Sequence, residues 1–172
     1  MRRVIDVLGG KKGESCIDEE VAEILVQRAV QDDPTETRGV GRQVMELFTK
    51  SIIPLITSSA RLWNAAARLY LWHSQYSDAL DAHIKAFRTY LNHPGLETDY
   101  GIWKSSVEEG GKLLDAYRNL GEKPGRMGGV VCKDWRYQAR SALRGLKGRG
   151  KTSHEGTDAW DEVEALIEDT KN

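Results

Sequence analysis

Ile17, Val21, Ile24, Leu25 and Val30 in IDEEVAEILVQRAVQ recur three to four residues apart, and this spacing, repeated along most of the chain, commits it to helices. A half-buried strand would alternate apolar and polar residues, and no stretch of useful length does so. Asp18 stands where an N-cap belongs, and the polar DDPTETRG breaks this first segment. RQVMELFTKSIIPLI resumes the pattern with Val44, Leu47, Phe48, Ile52 and Leu55 until Pro54, which has no N–H, disturbs its last turn. These two segments read as a hairpin. Ser58 or Ser59 is placed to cap ARLWNAAARLYLWHS, SQYS forms a short turn, and DALDAHIKAFRTYLN runs on until His93, Pro94 and Gly95 stop it. A second hairpin is the simplest reading. TDYGIWKSSVEEGGKLLDAYRNL is expected to be helical up to Gly121, with a bend at Gly110 and Gly111, each of which costs about 1 kcal/mol relative to alanine. EKPGRMGGVV reads as a loop, DWRYQARSALRGL as a basic helix and TDAWDEVEALIED as a short acidic one.

Within the second hairpin, Trp63 to Ala86 fits a tetratricopeptide unit. Such a unit presents W-x-x-L-G-x-x-Y on its first helix and small, aromatic and small residues on its second, because the helices approach closely while large groups fill the seam. Trp63, Ala66, Ala67 and Tyr70 occupy the first set, and Ala79, His83 and Ala86 the second. Trp63, Tyr70, Phe87 and Tyr90 then belong to a helix-hairpin core. The expected fold is all-α, with tetratricopeptide-like antiparallel hairpins stacked as a short solenoid. Its expected organisation is a flexible N-terminal segment over 1–16, a helical-repeat domain over 17–121 and a loop over 122–132. A basic helix and an acidic C-terminal helix follow over 133–172.

On the other face of the first repeat helix, Arg61, Asn64, Arg68 and Trp72 recur at helical spacing. Two arginines beside an aromatic suit an acidic peptide in a concave groove, so these four are the candidate protein-binding residues; the plainer reading is a solvated stripe. The net charge of −1 supplies no global attraction for nucleic acid, so partners must be sought locally. Lys133 to Lys151 is strongly basic, and Glu155 onward is acidic. The two halves are placed to neutralise each other. The alternative is a nucleic-acid or ribonucleoprotein contact through Arg136, Arg140, Arg144 and Lys147, for which Trp135 and Tyr137 are the available stacking groups.

GLKGRGKT, Gly145 to Thr152, has the spacing of a phosphate-binding P-loop. A P-loop needs a buried strand before it and a helix after it, whereas a basic helical stripe precedes this match and only twenty residues follow it. The glycines are read instead as the end of the basic helix. His73, His83, His93 and His154 are dispersed, and Cys16 and Cys132 stand alone, which points to reduced thiols and gives no metal-ligand spacing. No catalytic nucleophile turn occurs. The expectation is a chain with no cofactor, no metal and no small-molecule substrate, not an enzyme. Neither a signal peptide nor an apolar run of about 18 residues is found, so no membrane association is expected.

EVAEILVQRAV and GRQVMELFTKSIIPLITSSARLWNAAARLY resemble the C-terminal part of the fungal "essential for maintenance of the cell wall" proteins and of their animal counterpart, tetratricopeptide repeat protein twenty-seven. The resemblance covers about residues 15–120, is most specific from Thr57 to Tyr70, and is loose from Gly121 onward. It implies a fragment of a longer helical-repeat scaffold without enzymatic activity, acting in cytoplasm and nucleus. The roles it implies are fungal cell-wall integrity and chaperone-assisted assembly of client complexes. The family's pattern supplies no catalytic residue. The dicarboxylate clamp of some tetratricopeptide domains is not met, because its lysine and asparagine positions fall on Asn64 and Arg68.

Overall fold

The computed structural model describes residues 18–35, 39–120 and 135–171, and every regular element within them is helical. The expected N-terminal segment, the loop after Leu120, Gly121 and both cysteines lie outside the described residues. The Asp18 carboxylate accepts the N–H groups of Glu20 at 3.0 Å and Val21 at 3.1 Å, which starts α1 (Glu19–Ala29). Gly39, before α2 (Val40–Leu47), has no side chain to cap it. The Asp32 carboxylate takes over that role by accepting the Gly41 N–H at 3.0 Å.

Beyond Leu47 the helix departs from the regular pattern expected up to Pro54. It widens into a π turn, Phe48–Ile52, and then tightens into a 3-10 turn, Ile53–Leu55. Pro54 lacks the donor that would extend an α-helix, and its ring crowds the carbonyl four residues back. The chain adapts by letting the Ile53 N–H reach the Phe48 carbonyl, a wider closure that keeps both Phe48 and Ile52 buried.

Of the two candidate caps, Ser59 starts α3 (Ala60–Trp72), its hydroxyl accepting the Leu62 N–H at 3.1 Å. The helix closes in a Schellman motif: the Gln75 N–H reaches the Tyr70 carbonyl at 2.8 Å and the Ser74 N–H reaches Leu71 at 3.0 Å. Ser74 takes the left-handed position with φ 59°. α4 (Tyr76–Leu91), α5 (Tyr100–Leu120), α6 (Trp135–Gly150) and α7 (Asp158–Asp169) follow.

The contacts divide the chain into two compact units, Met1–Ala82 and His83–Asn172, with the division inside α4. In the first unit α1 packs on α2 and α3. Small residues make this possible: Ala22, Ala29, Ala65, Ala66, Ala67 and Ala82 are buried beside Val26, Phe48 and Leu69. Trp63 and Tyr70 lie half-buried against that core. In the second unit α5, α6 and α7 pack mutually. Gly110 sits where a Cβ would stand 2.9 Å from Leu143, so the missing side chain admits α6. Helix α5 is continuous through this pair of glycines. Gly145 and Gly148 do not end the basic helix as expected, because α6 runs through both to Gly150.

The C-cap of α3 yields a first prediction. Ser74 pays a steric penalty for its left-handed backbone that glycine avoids, so Ser74→Gly should raise stability by about 0.5–1 kcal/mol. A urea midpoint that rises with an unchanged slope would establish this.

Candidate functional site

Helix α3 presents the four residues expected to bind protein in unequal states. Arg61 is exposed and already engaged by α1: its Nη2 lies 2.6 Å and its Nε 3.3 Å from the Glu23 carboxylate, with Glu19 at 3.9 Å. The Glu23 hydrogen bonds hold its guanidinium even more firmly protonated. Asn64 is half-buried and Arg68 exposed. Trp72 is half-buried at the far end of the helix, where its Nε1–H donates to the Asp32 carbonyl at 2.8 Å. Its ring crosses Gly41 so closely that a Cβ there would lie 2.5 Å away. Arg61 and Trp72 thus tie α3 to its own unit, while Arg68 projects toward solvent.

Helix α6 divides its basic residues in the same way. Arg140 donates from Nε to the Thr170 hydroxyl at 2.8 Å and from Nη2 to the Thr170 carbonyl at 2.6 Å, clamping the end of α7. Lys147 pairs with Glu164 and lies 4.9 Å from the Trp160 ring centre. Hydrogen bonding from Lys147 holds the Glu164 carboxyl below its ordinary range. Arg149 pairs with Glu97 at 2.9 Å and donates to the Leu91 carbonyl. Arg136 and Arg144 are exposed. Part of the basic stripe therefore neutralises the acidic helix, as its sequence position allows.

GLKGRGKT ends a helix where a P-loop would begin one. Gly145 to Gly150 form the last turns of α6, and Lys151 and Thr152 lie in the following turn. Helix C-termini present carbonyls, and those repel phosphate. His154 is buried, stacked on Trp103 at 5.0 Å, with Nε2 donating to the Leu96 carbonyl at 3.1 Å. Among the described residues no group of three His, Cys, Asp or Glu side chains is placed to hold a metal, and no helix is long and apolar enough to cross a membrane.

Sequence reasoning did not single out a cleft of about 380 Å³ in the second unit, walled by α4, α5 and α6. Phe87, Leu91, Leu113 and Tyr117 make it largely apolar, and Arg88 and Tyr137 stand in its lining. The available signal was Gly145, a glycine inside a helical pattern.

Two curated fungal proteins match the chain. A TPR repeat-containing protein of Schizosaccharomyces pombe is 39% identical over 171 residues, covering 99% of this chain and 21% of the relative. Essential for maintenance of the cell wall protein 1 of Saccharomyces cerevisiae is 32% identical over 168 residues, covering 94% of this chain and 19% of the relative. The chain thus spans about a fifth of the length of these relatives, and the matches run through the stretch beyond Gly121 that resembled the family only loosely. No protein-family model and no solved structure matches. The homology and the helix hairpins together make this a helical-repeat protein with an all-α, tetratricopeptide-like fold.

One half-buried titratable group, His83, yields a second prediction. Burial pushes the His83 imidazole below its ordinary value of 6.5, outweighing the nearby Glu109 carboxylate, and Lys112 acts in the same direction as burial. The unfolded chain binds this proton more readily than the folded one, so the stability His83 contributes is present above pH 6.5 and is lost as the pH falls toward the depressed folded value. Urea unfolding should show the wild type losing stability between pH 7.5 and 5.5 more steeply than His83→Gln.

Proposed function

We propose that the chain is a non-enzymatic protein-interaction module, a portion of a longer helical-repeat scaffold. In this reading it serves the assembly of client complexes in cytoplasm and nucleus and, in fungi, the integrity of the cell wall. The observation that carries the reading is the Trp63–Ala86 hairpin. Ala66, Ala67, Ala79 and Ala86 are buried in tetratricopeptide register, and α3 presents Arg68 outward beside Arg61 and Asn64. A repeat scaffold offers such a surface without any reacting group. The names of the two relatives support the repeat and the cell-wall role.

The proposed protein-binding surface is Arg61, Asn64 and Arg68, with Trp72 fixing the end of their helix against Asp32. Its chemistry suits an acidic segment: Arg68 is exposed, and Arg61 can exchange Glu23 for a partner's carboxylate. Exchange of one solvated ion pair for another adds little affinity by itself, so apolar contacts must accompany it.

Affinity capture from nuclease-treated fungal lysate tests the reading, with the wild type beside a triple variant carrying Arg61→Ala, Asn64→Ala and Arg68→Ala. Specific proteins should be recovered by the wild type and fall on the order of tenfold with the variant, equivalent to about 1.4 kcal/mol. Unchanged recovery by a variant with the wild-type circular dichroism would refute the α3 surface. Capture abolished by nuclease alone would shift the reading to a ribonucleoprotein contact through α6.

A further inference from the structure

A glycine inside a helix weakens it relative to alanine, so each one raises the question of what its missing side chain admits. At Gly110 and Gly150 it admits a close neighbour: a Cβ would crowd Leu143 in the first case and overlap the Trp103 ring in the second. Gly145 has no such neighbour, since nothing lies within 4 Å of the point where its Cβ would stand. It forms part of the wall of the cleft between α4, α5 and α6. Gly148, three residues on, is equally bare and lengthens the strip of α6 that lacks side chains.

The cleft is apolar at its base and wet along one side. Phe87, Leu113 and Tyr117 are buried, whereas Tyr137 is 66% exposed and Gly145 is open to solvent. Arg88 is the one charged residue in the lining, it is exposed, and no carboxylate shares the cleft with it. A small ligand favours an enclosed site that covers most of its surface, which this cleft does not provide. A nucleic-acid strand needs several cations tracking its phosphates, and the lining supplies one. A polypeptide segment fits all three features, because its apolar side chains fill the base, its backbone passes over bare glycine, and one anionic group answers Arg88.

We infer that this cleft binds a segment of a partner protein in which aliphatic side chains flank a carboxylate that pairs with Arg88, with the segment's backbone crossing α6 at Gly145. The inference rests on the protein-interaction reading above and assigns it a second surface, within the unit His83–Asn172.

The test uses the full chain, isotopically labelled for amide NMR, and synthetic peptides of leucine and glutamate in varied spacing, each with a lysine-for-glutamate counterpart. Leucine–glutamate peptides should shift the Gly145 and Gly148 amides, and the lysine counterparts should bind at least about tenfold more weakly, the scale of one charge-assisted contact. Gly145→Leu should weaken binding on the order of tenfold by filling the wall. Arg88→Glu should reverse the preference between the two peptide sets. Gly145→Ala, with open space for its methyl group, should remain folded and melt at a higher temperature than the wild type. The inference is overturned if no leucine–glutamate peptide moves Gly145, or if binding survives both Gly145→Leu and Arg88→Glu unchanged. Peptide shifts confined to α3 around Arg68 would also overturn it, yet leave the protein-interaction reading intact. A single-stranded RNA oligonucleotide that shifts Gly145 where every peptide fails would also overturn it, in favour of the ribonucleoprotein contact through α6.

Discussion

A tryptophan laid across a glycine holds each of the two units. In the first, the Trp72 ring covers Gly41 and its N–H is fixed by the Asp32 carbonyl, while the Asp32 carboxylate caps the start of α2. One aspartate thus ties the end of α3 to the beginning of α2 through both its backbone and its side chain. In the second, Trp103 of α5 lies against Gly150 at the end of α6 and stacks on His154 and Trp160. The absence of a Cβ sets these distances, so a broad aromatic surface meets backbone directly and its dispersion contacts are gathered at one point. Packing by alanine in the first unit, at Ala22, Ala29, Ala65, Ala66 and Ala67, follows the same logic on a smaller scale.

Charge is distributed around these clasps in two classes. Arg61, Arg140, Lys147 and Arg149 answer carboxylates or carbonyls within their own unit and act as struts. Arg68, Arg88, Arg136 and Arg144 face solvent. Sequence position does not distinguish the classes, since both recur at helical spacing on polar faces. The difference comes from which helix crosses nearby: α1 brings Glu23 to Arg61, and α7 brings Thr170 to Arg140.

Much of the architecture could be read in advance because it rests on local chemistry. Asp18 and Ser59 announce helix starts through their side-chain oxygens, and the alanines at 66, 67, 79 and 86 announce buried helix faces. What escaped depends on partners distant in sequence. That Trp72 lies across Gly41 and donates to the Asp32 carbonyl could not be read from α3 alone. Gly145 and Gly148 looked like helix stops because the weak intrinsic preference of glycine is overridden once Leu143 and Leu146 are buried on the other face of α6. The cleft escaped for a related reason, since it is formed by three helices and marked by the absence of a side chain.

The π turn at Phe48–Ile52 changes how this chain must be compared with regular repeats. A wider turn accommodates an additional residue while keeping Phe48 and Ile52 on the buried side. The Ile53 N–H closes on the Phe48 carbonyl five residues back, so each residue of this turn advances less around the helix axis than in an α-helix, while the core stays continuous. The widening stands directly before Pro54, and that is where a helix template without a wider turn departs from this chain.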